Sequence, residues 1–217
     1  MAEPVSQPTG YRFLLPSDWV QIPLRQGDAE DAVREVVAAA FARVPADVPR
    51  DRLTPLRLEL DRKLRAAVAD ARKAKALEIY LPMRLSREIN LGASIIVSEA
   101  RLPSRSGPGG GDAPVSDPAE VAIQLVSGGG TDVDLSSGEV DGALAVRRED
   151  VVPANPSRGA EMASRRVDYF VSVPGDPSRW FVAAFSTIGA GDPKDDLANA
   201  LVEWFDALMT TFRWSWT

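Results

Sequence analysis

The sequence contains no cysteine and no histidine among its 217 residues. Without cysteine it cannot form disulfides, iron–sulfur clusters, thiolate zinc sites or cysteine nucleophiles. Without histidine it lacks the commonest general base and the commonest metal ligand, so a Ser-His-Asp triad is impossible and most zinc enzymes are disfavoured. We therefore predict a protein with no catalytic residues, no metal site and no cofactor.

Lysine and long apolar runs are also scarce. Lysine accounts for four of the 25 basic residues, an arginine-rich balance that is typical of a GC-rich bacterial genome. The net charge of −6 argues against general nucleic-acid binding. The sequence has no run of about 18 apolar residues, so no transmembrane helix is predicted. Residues 1–10 lack the basic and apolar segments of a signal peptide, and we expect a cytoplasmic protein.

The clearest structural signal lies at the C-terminus. Two strands are predicted at 165–174 and 179–188, joined by a tight turn at 175–178, and an amphipathic helix follows at 192–212. Asp192 is the predicted N-cap of this helix. Its apolar residues recur three or four positions apart, which places them on one helix face: Leu197, Leu201, Trp204, Phe205, Leu208 and Phe212.

The rest of the chain alternates short strands with helices. Helices are predicted at 28–44 and 50–74, with a shorter one from 117. The helix at 50–74 has an apolar stripe formed by Leu53, Leu56, Leu60, Leu64, Val68 and Ala71. Strands are predicted at 11–15, 20–24, 77–85, 91–102, 131–135 and 142–152, the last two separated by a turn at Ser137-Gly138.

This order of elements predicts the fold class. Strands joined mostly by hairpins indicate an α/β (α+β) fold, built as a three-layer α/β/α sandwich around a mainly antiparallel sheet. We predict a single domain over 11–217, preceded by a disordered tail at 1–10. A flexible loop is predicted at 103–117, which is rich in Gly, Pro and Ser.

Three segments resemble the PsbP-like superfamily, which includes a photosystem subunit, a yeast Ran-binding protein and mycobacterial lipoproteins. Residues 11–19 resemble its aromatic-x-Phe-x-x-Pro-x-x-Trp start, and 138–147 are similar to the opening of its central strand. The strand–strand–helix ending with 211–214 is similar to its close. The resemblance implies a divergent bacterial member with the α/β/α sandwich. It also implies protein binding without shared catalytic residues.

Three short motifs have both a chemical and a structural interpretation. Residues 128–131 resemble a phosphate cradle but lack the lysine of a P-loop, so a flexible connection is favoured. Asp132 and Asp134 would share a strand face and offer two oxygen ligands to a cation, yet solvated acids at a strand edge are favoured. Glu99 and Arg101 alternate on a strand, which is typical of a solvent-facing side.

The most basic segment is a candidate partner-binding surface. Residues 50–75 contain nine basic and four acidic residues, a net charge of +5 that leaves −11 on the rest of the chain. Cations gather opposite the leucine stripe and would attract a protein with an acidic surface: Arg62, Arg65, Arg72 and Lys73. Acidic residues one helical turn away favour the alternative of a solvated, partly neutralised face.

The two C-terminal tryptophans are further candidates for partner binding. Trp214 and Trp216 lie on one side of an extended tail, where exposed aromatic side chains would form an interaction hot spot. Large aromatic side chains are more often buried, so we favour burial against the sheet.

Together these features predict a non-catalytic, cytoplasmic protein-binding module, either an adaptor or a chaperone-like partner of a bacterial secretion or regulatory system. The predicted partner is another protein with an acidic surface, rather than nucleic acid or a membrane. The alternatives are a small-ligand-binding protein and a carboxylate-based hydrolase. A deep pocket with converging carboxylates would favour the alternatives, and a grooved surface with an apolar patch would favour the binding module.

Overall fold

A computed structural model describes residues 6–25, 28–42, 44–45, 48–83, 92–101 and 133–216. Four predicted features lie outside the described residues: the loop at 103–117, the helix from 117, the glycine-rich segment at 128–131 and the candidate ligand Asp132. Within the described residues, no helix is long and apolar enough to cross a membrane.

The described residues form nine strands, three α-helices and one short 3-10 turn. The strands are β1 (Gly10–Arg12), β2 (Trp19–Pro23), β3 (Ala76–Pro82), β4 (Ala93–Arg101), β5 (Asp134–Val140), β6 (Ala143–Val152), β7 (Ser164–Val173), β8 (Asp176–Thr187) and β9 (Arg213–Ser215). The helices are α1 (Ala29–Phe41), α2 (Arg50–Lys73) and α3 (Asp196–Thr210), and the 3-10 turn is Pro156–Arg158.

The strands form two sheets. Seven strands are hydrogen-bonded in the order β2-β3-β4-β8-β7-β6-β5, and β1 pairs with β9. The pairs β2–β3, β3–β4, β5–β6, β6–β7 and β7–β8 are all antiparallel. These elements confirm the predicted α+β class with a mainly antiparallel sheet.

The chain divides into two compact units. The first unit comprises 1–15, 91–93 and 99–217, and the second comprises 16–90 and 94–98. The single domain that the sequence predicts over 11–217 stays a prediction. Part of the predicted tail at 1–10 is described, and there the Thr9 amide donates to the Ser215 carbonyl at 2.8 Å.

In the second unit, α1 and α2 pack together with β2 and β3. The core includes Ile22, Val33 and Val68. The apolar stripe predicted for α2 packs into this core from Leu60 to Ala71. Leu56 is 60% exposed, so the prediction is wrong for Leu56. The reason is length, because α1 has 13 residues against 24 in α2 and cannot cover its first turns.

In the first unit, α3 packs on one face of β7 and β8. Phe205 is fully buried, and its ring lies 4.9 Å from that of Phe185 and 5.7 Å from that of Tyr169. A second aromatic contact joins Phe181 to Phe212, with ring centroids 4.8 Å apart. The predicted strand–strand–helix block is therefore confirmed, and it forms the core of this unit.

Both predicted turns in the sheet are wrong by a few residues. The β5–β6 hairpin turns at Asp141-Gly142, with φ of 49° and 75°, and not at Ser137-Gly138, which lies inside β5. Two positive φ values define the type I′ turn that Asp-Gly favours, so the sequence carried the correct signal. The β7–β8 hairpin turns at 174–175 instead of 175–178, with Gly175 at φ 77°.

The start of α3 also differs from the prediction. The N-cap is Asp195 and not Asp192, because the Asp195 Oδ1 accepts a hydrogen bond from the Ala198 amide at 2.7 Å. An N-cap carboxylate stabilises a helix by accepting from an amide that has no partner in the helix. Asp192 instead accepts from the Lys194 amide at 2.9 Å, in the loop before the helix.

Candidate functional site

A cavity in the first unit is a groove between β5 and α3, which we call the β5 groove. Its volume is about 340 Å³, which is at the lower end of the range for ligand-binding clefts. The lining residues are Ser136, Ser137, Gly138, Glu139, Val140, Asp141, Ala145, Arg147, Tyr169, Asp206, Met209 and Thr210.

The strand β5 is the last strand of the seven-stranded sheet. It pairs with β6 along its whole length, from Asp134↔Glu149 to Val140↔Ala143. No strand among the described residues pairs with its other edge. Residues 136–141 line the groove together with Ala145 and Arg147 of β6 and Tyr169 of β7, which share the face of the sheet beneath α3. The groove therefore lies on this face of the sheet, beside the outer edge of β5.

The floor of the groove is a cluster of three polar side chains from three elements. Arg147 of β6 is the register partner of Tyr169 of β7, so the two side chains lie next to each other beneath α3. Arg147 donates to Asp206 of α3 from Nε to Oδ1 at 2.9 Å and from Nη2 to Oδ2 at 3.1 Å. The Tyr169 hydroxyl donates to the same Oδ1 at 2.9 Å.

The cluster extends along the sheet through a second carboxylate. Arg147 Nη2 also donates to Glu149, which lies two residues further along the same face of β6. Glu149 in turn accepts from Arg165 of β7, and the Arg165 guanidinium donates to Asn199 of α3. The side chains of Arg147 and Glu149 are each only 15% exposed. These contacts fix α3 to the strands that carry the groove.

The electrostatics of the floor keep Arg147 charged and Tyr169 protonated at neutral pH. Burial lowers the pKa of Arg147, but hydrogen bonds to Asp206 and Glu149 outweigh it, so the pKa is raised overall. Burial raises the pKa of Tyr169, and the nearby Asp206 charge raises it further. At neutral pH Arg147 stays charged and Tyr169 stays protonated, so neither serves as a general base.

The rim of the groove is acidic. Among the described residues, the exposed Glu139 has no hydrogen-bond or ion-pair partner. Asp141 accepts from the Trp214 amide at 2.8 Å and lies 3.7 Å from the Arg213 guanidinium. Three acidic residues line the groove against one cation, Arg147, whose guanidinium already binds two carboxylates.

The candidate chemical motifs do not form a site in the described residues. Asp134 is 77% exposed with its Oδ2 3.8 Å from Arg147 Nη1, and Asp132 lies outside the described residues. Glu99 accepts from Arg179 at 3.0 Å, as expected of an ion pair on neighbouring strands. No group of three potential metal ligands occurs in the part of the chain that the structure describes.

The four cations proposed from the sequence lie on α2, and each has a partner. Arg62 donates to Glu59 at 2.9 and 2.7 Å, Arg65 to Asp61 at 2.7 Å and Lys73 to Asp70 at 3.0 Å. Arg72 Nε donates to the Leu24 carbonyl at 3.3 Å. Arg65 and Arg72 line a cleft of about 170 Å³ between α1 and α2. Their role in binding an acidic partner stays a prediction.

The two tryptophans have different environments. Trp214 is 8% exposed, and its ring stands perpendicular to that of Phe212 at 5.0 Å. Trp216 is 51% exposed. Trp214 is therefore buried, as favoured from the sequence, whereas Trp216 is exposed, and the role of the two residues in partner binding stays a prediction.

Sequence reasoning missed the floor of the groove. Arg147 lies within the segment 138–147, Tyr169 within the predicted strand at 165–174 and Asp206 within the predicted helix at 192–212, but the sequence singles out none of them as a site residue. The available signal was the alternation in β6, where Arg147 follows the buried Ala143 and Ala145 on the same strand face. A charged residue on a core-facing series needs a partner, and that partner is on α3.

Comparison with known proteins gives a structural similarity and no sequence match. Among solved structures, the chain is similar to the Ran-binding protein Mog1p of Saccharomyces cerevisiae, with 10% sequence identity. The match has a TM-score of 0.42 and covers 94% of this chain and 89% of that chain. No protein-family model and no curated protein matches the sequence. A TM-score this low carries no functional inference, so membership of the PsbP-like superfamily stays a prediction.

Proposed function

We propose that the chain is a non-catalytic protein-binding module that contacts its partner at the β5 groove. Its setting would be the bacterial cytoplasm, where it acts as an adaptor or chaperone-like partner of a secretion or regulatory system. The outer edge of β5, with which no strand among the described residues pairs, carries this proposal. The residues from Asp134 to Glu139 are exposed, and an exposed strand edge is a template for pairing with another chain.

The chemistry of the groove favours binding over hydrolysis. A carboxylate-based hydrolase needs a carboxyl group whose pKa is raised and which reaches the substrate. Asp206 is held by Arg147 and Tyr169, so its charge is compensated. Burial raises the pKa of Asp168, but this residue is 2% exposed, is bonded to Arg166 and does not line the groove.

The test is a pull-down from a lysate of the native host with the wild-type chain and a variant whose groove is filled. Gly138→Phe suits this purpose, because a Cβ at Gly138 has no atom within 4 Å and the side chain enters open space. The matched control is Ala200→Phe, which adds the same ring at an exposed position of α3 outside the groove.

Quantitative mass spectrometry should identify proteins that the wild type and Ala200→Phe retain and that Gly138→Phe loses. Both variants should keep the thermal unfolding midpoint of the wild type. If all three chains retain the same proteins in the same amounts, the groove is not the contact surface and the proposed function fails.

A further inference from the structure

We propose that the β5 groove binds an extended segment of a partner protein, which adds to β5 as a further strand and places a lysine or arginine side chain against Glu139. This inference rests on the proposed function and specifies the chemistry of the partner. It combines the outer edge of β5, which no described strand pairs with, and the charge of the residues around it.

The geometry suits an extended segment. The strand β5 has seven residues and so spans about 23 Å, which is the length of a short added strand. Its edge and the face of α3 formed by Asp206, Met209 and Thr210 are the two walls of the groove. Nothing lies within 4 Å of a Cβ placed at Gly138, so the groove has room there for a side chain of the added segment.

The charges select a cationic segment. The carboxylates of Asp206 and Asp141 already accept hydrogen bonds from Tyr169 and from the Trp214 amide. Glu139 has no such partner among the described residues and is exposed to solvent, and its pairing with Leu144 places its side chain on the sheet face away from Arg147 and α3. A lysine or arginine side chain on the same face of an added strand would supply the missing positive charge.

The same charges disfavour pairing of β5 with the β5 strand of a second copy of this chain. Two β5 strands paired edge to edge would bring two copies of Asp134 and of Glu139 into one short ladder. Like charges across neighbouring strands are destabilising. An acidic segment is disfavoured for the same reason, so a cationic partner segment is the occupant that fits.

The experiment is a selection of random seven-residue peptides displayed on phage, using the full chain, with counter-selection against Gly138→Phe. We expect the enriched peptides to carry lysine or arginine and to lack proline at their centre, because proline cannot complete a strand ladder. The most enriched peptide is then synthesised, and its Kd is measured by fluorescence anisotropy.

Two variants test the assigned contact. Glu139→Gln should weaken binding of the synthetic peptide about 3- to 5-fold at about 50 mM NaCl, the range for an exposed ion pair, and this difference should vanish at about 500 mM. Glu203→Gln, which removes an exposed acid of α3 outside the groove lining, should leave the Kd unchanged. Two further peptides are methylated on alternate backbone nitrogens, one on the odd and one on the even positions. Only one of them should bind more weakly, because alternate residues of a strand donate their N–H groups to the neighbouring strand.

Three results would overturn the inference. The first is a selection that enriches no peptide binding the wild type in preference to Gly138→Phe, and the second is a set of enriched peptides that contain no lysine or arginine. The third result is that Glu139→Gln binds the synthetic peptide with the same Kd as the wild type. A chain that sediments as a dimer, which Gly138→Phe dissociates, would assign the edge to a second copy instead. A different outcome is that the selection yields no binding peptide while the wild type still retains proteins that Gly138→Phe loses in the pull-down. In that case the proposed binding module is kept, and only the proposal of a cationic added strand is rejected.

Discussion

Arg147 of β6 binds Asp206 of α3 through two parallel hydrogen bonds, Nε to Oδ1 at 2.9 Å and Nη2 to Oδ2 at 3.1 Å. This bidentate geometry is the strong form of an arginine–carboxylate pair, since both donors of the guanidinium edge are aligned. Because one partner is on a strand and the other on a helix, the pair fixes α3 over the sheet and forms the floor of the β5 groove.

Replacing Arg147 with methionine should destabilise the protein. The change leaves Glu149 and Asp206 without their shared cation, and breaking a buried pair costs about 3–5 kcal/mol. Asp206 is 35% exposed, so we expect a smaller loss of roughly 2–3 kcal/mol in the free energy of unfolding, measured with urea. The control Arg62→Met, at a site 69% exposed, should leave the urea midpoint unchanged. Equal losses in both variants would contradict this role of Arg147.

Tyr169→Phe should produce a pH-dependent loss of stability. The hydroxyl donates to a charged carboxylate, and its removal should cost about 1–2 kcal/mol at pH 7. The pKa of Tyr169 is raised in the folded state, so its contribution is complete below the unfolded value of about 10 and is lost as pH rises through the folded value. The stability difference between wild type and Tyr169→Phe should therefore narrow above about pH 10. A constant difference from pH 7 to about pH 11 would be inconsistent with this hydrogen bond.

Asp195→Ala should lower the thermal unfolding midpoint more than Asp192→Ala does. Asp195 accepts from the amides of Ala198 and Ala190, each at 2.7 Å, and these bonds lower its pKa. A lowered pKa gives stability that is complete above the unfolded value of about 3.9 and is lost as pH falls through the folded value. In strongly acidic buffer, the thermal unfolding midpoint of Asp195→Ala should therefore no longer be lower than that of Asp192→Ala. The reverse order of the two variants at pH 7 would restore Asp192 as the N-cap.

Phe205→Ala should cost more stability than Trp204→Ala, although both residues belong to the apolar face predicted from the sequence. Phe205 is fully buried between Phe185 and Tyr169, so its removal leaves a cavity and should cost about 3–5 kcal/mol. Trp204 is only half-buried, and part of its surface already faces solvent. Urea denaturation of both variants measures the difference, and a larger loss for Trp204→Ala would show that α3 is rotated relative to this description.

A variant with Arg62, Arg65, Arg72 and Lys73 all changed to Ser tests the predicted basic surface of α2. If these cations attract an acidic partner, the association rate should fall at low salt and the fall should vanish at high salt. Binding of each partner recovered in the pull-down should be followed by stopped-flow fluorescence at both salt concentrations. An unchanged rate at low salt would show that the ion pairs with Glu59, Asp61 and Asp70 already neutralise this surface.

Local patterns in the sequence were sufficient to predict most of the elements. The apolar spacing from Leu197 to Phe212 predicted α3, and the apolar runs at 165–174 and 179–188 predicted β7 and β8. Such patterns are readable because helix and strand periodicities depend only on residues a few positions apart. The absence of cysteine and histidine excluded whole classes of chemistry in the same direct way.

The groove could not be predicted, because it depends on contacts between residues far apart in the sequence. Arg147, Tyr169 and Asp206 meet only through the register of β6 with β7 and the packing of α3 above them. A shift of one residue in that register would turn Arg147 to the other face of the sheet. The sequence by itself determined which segments are strands and helices and which reactions are impossible. Only the tertiary structure decided which strand edge is left unpaired among the described residues and which charges surround it, because pairing and packing depend on residues far apart in the sequence.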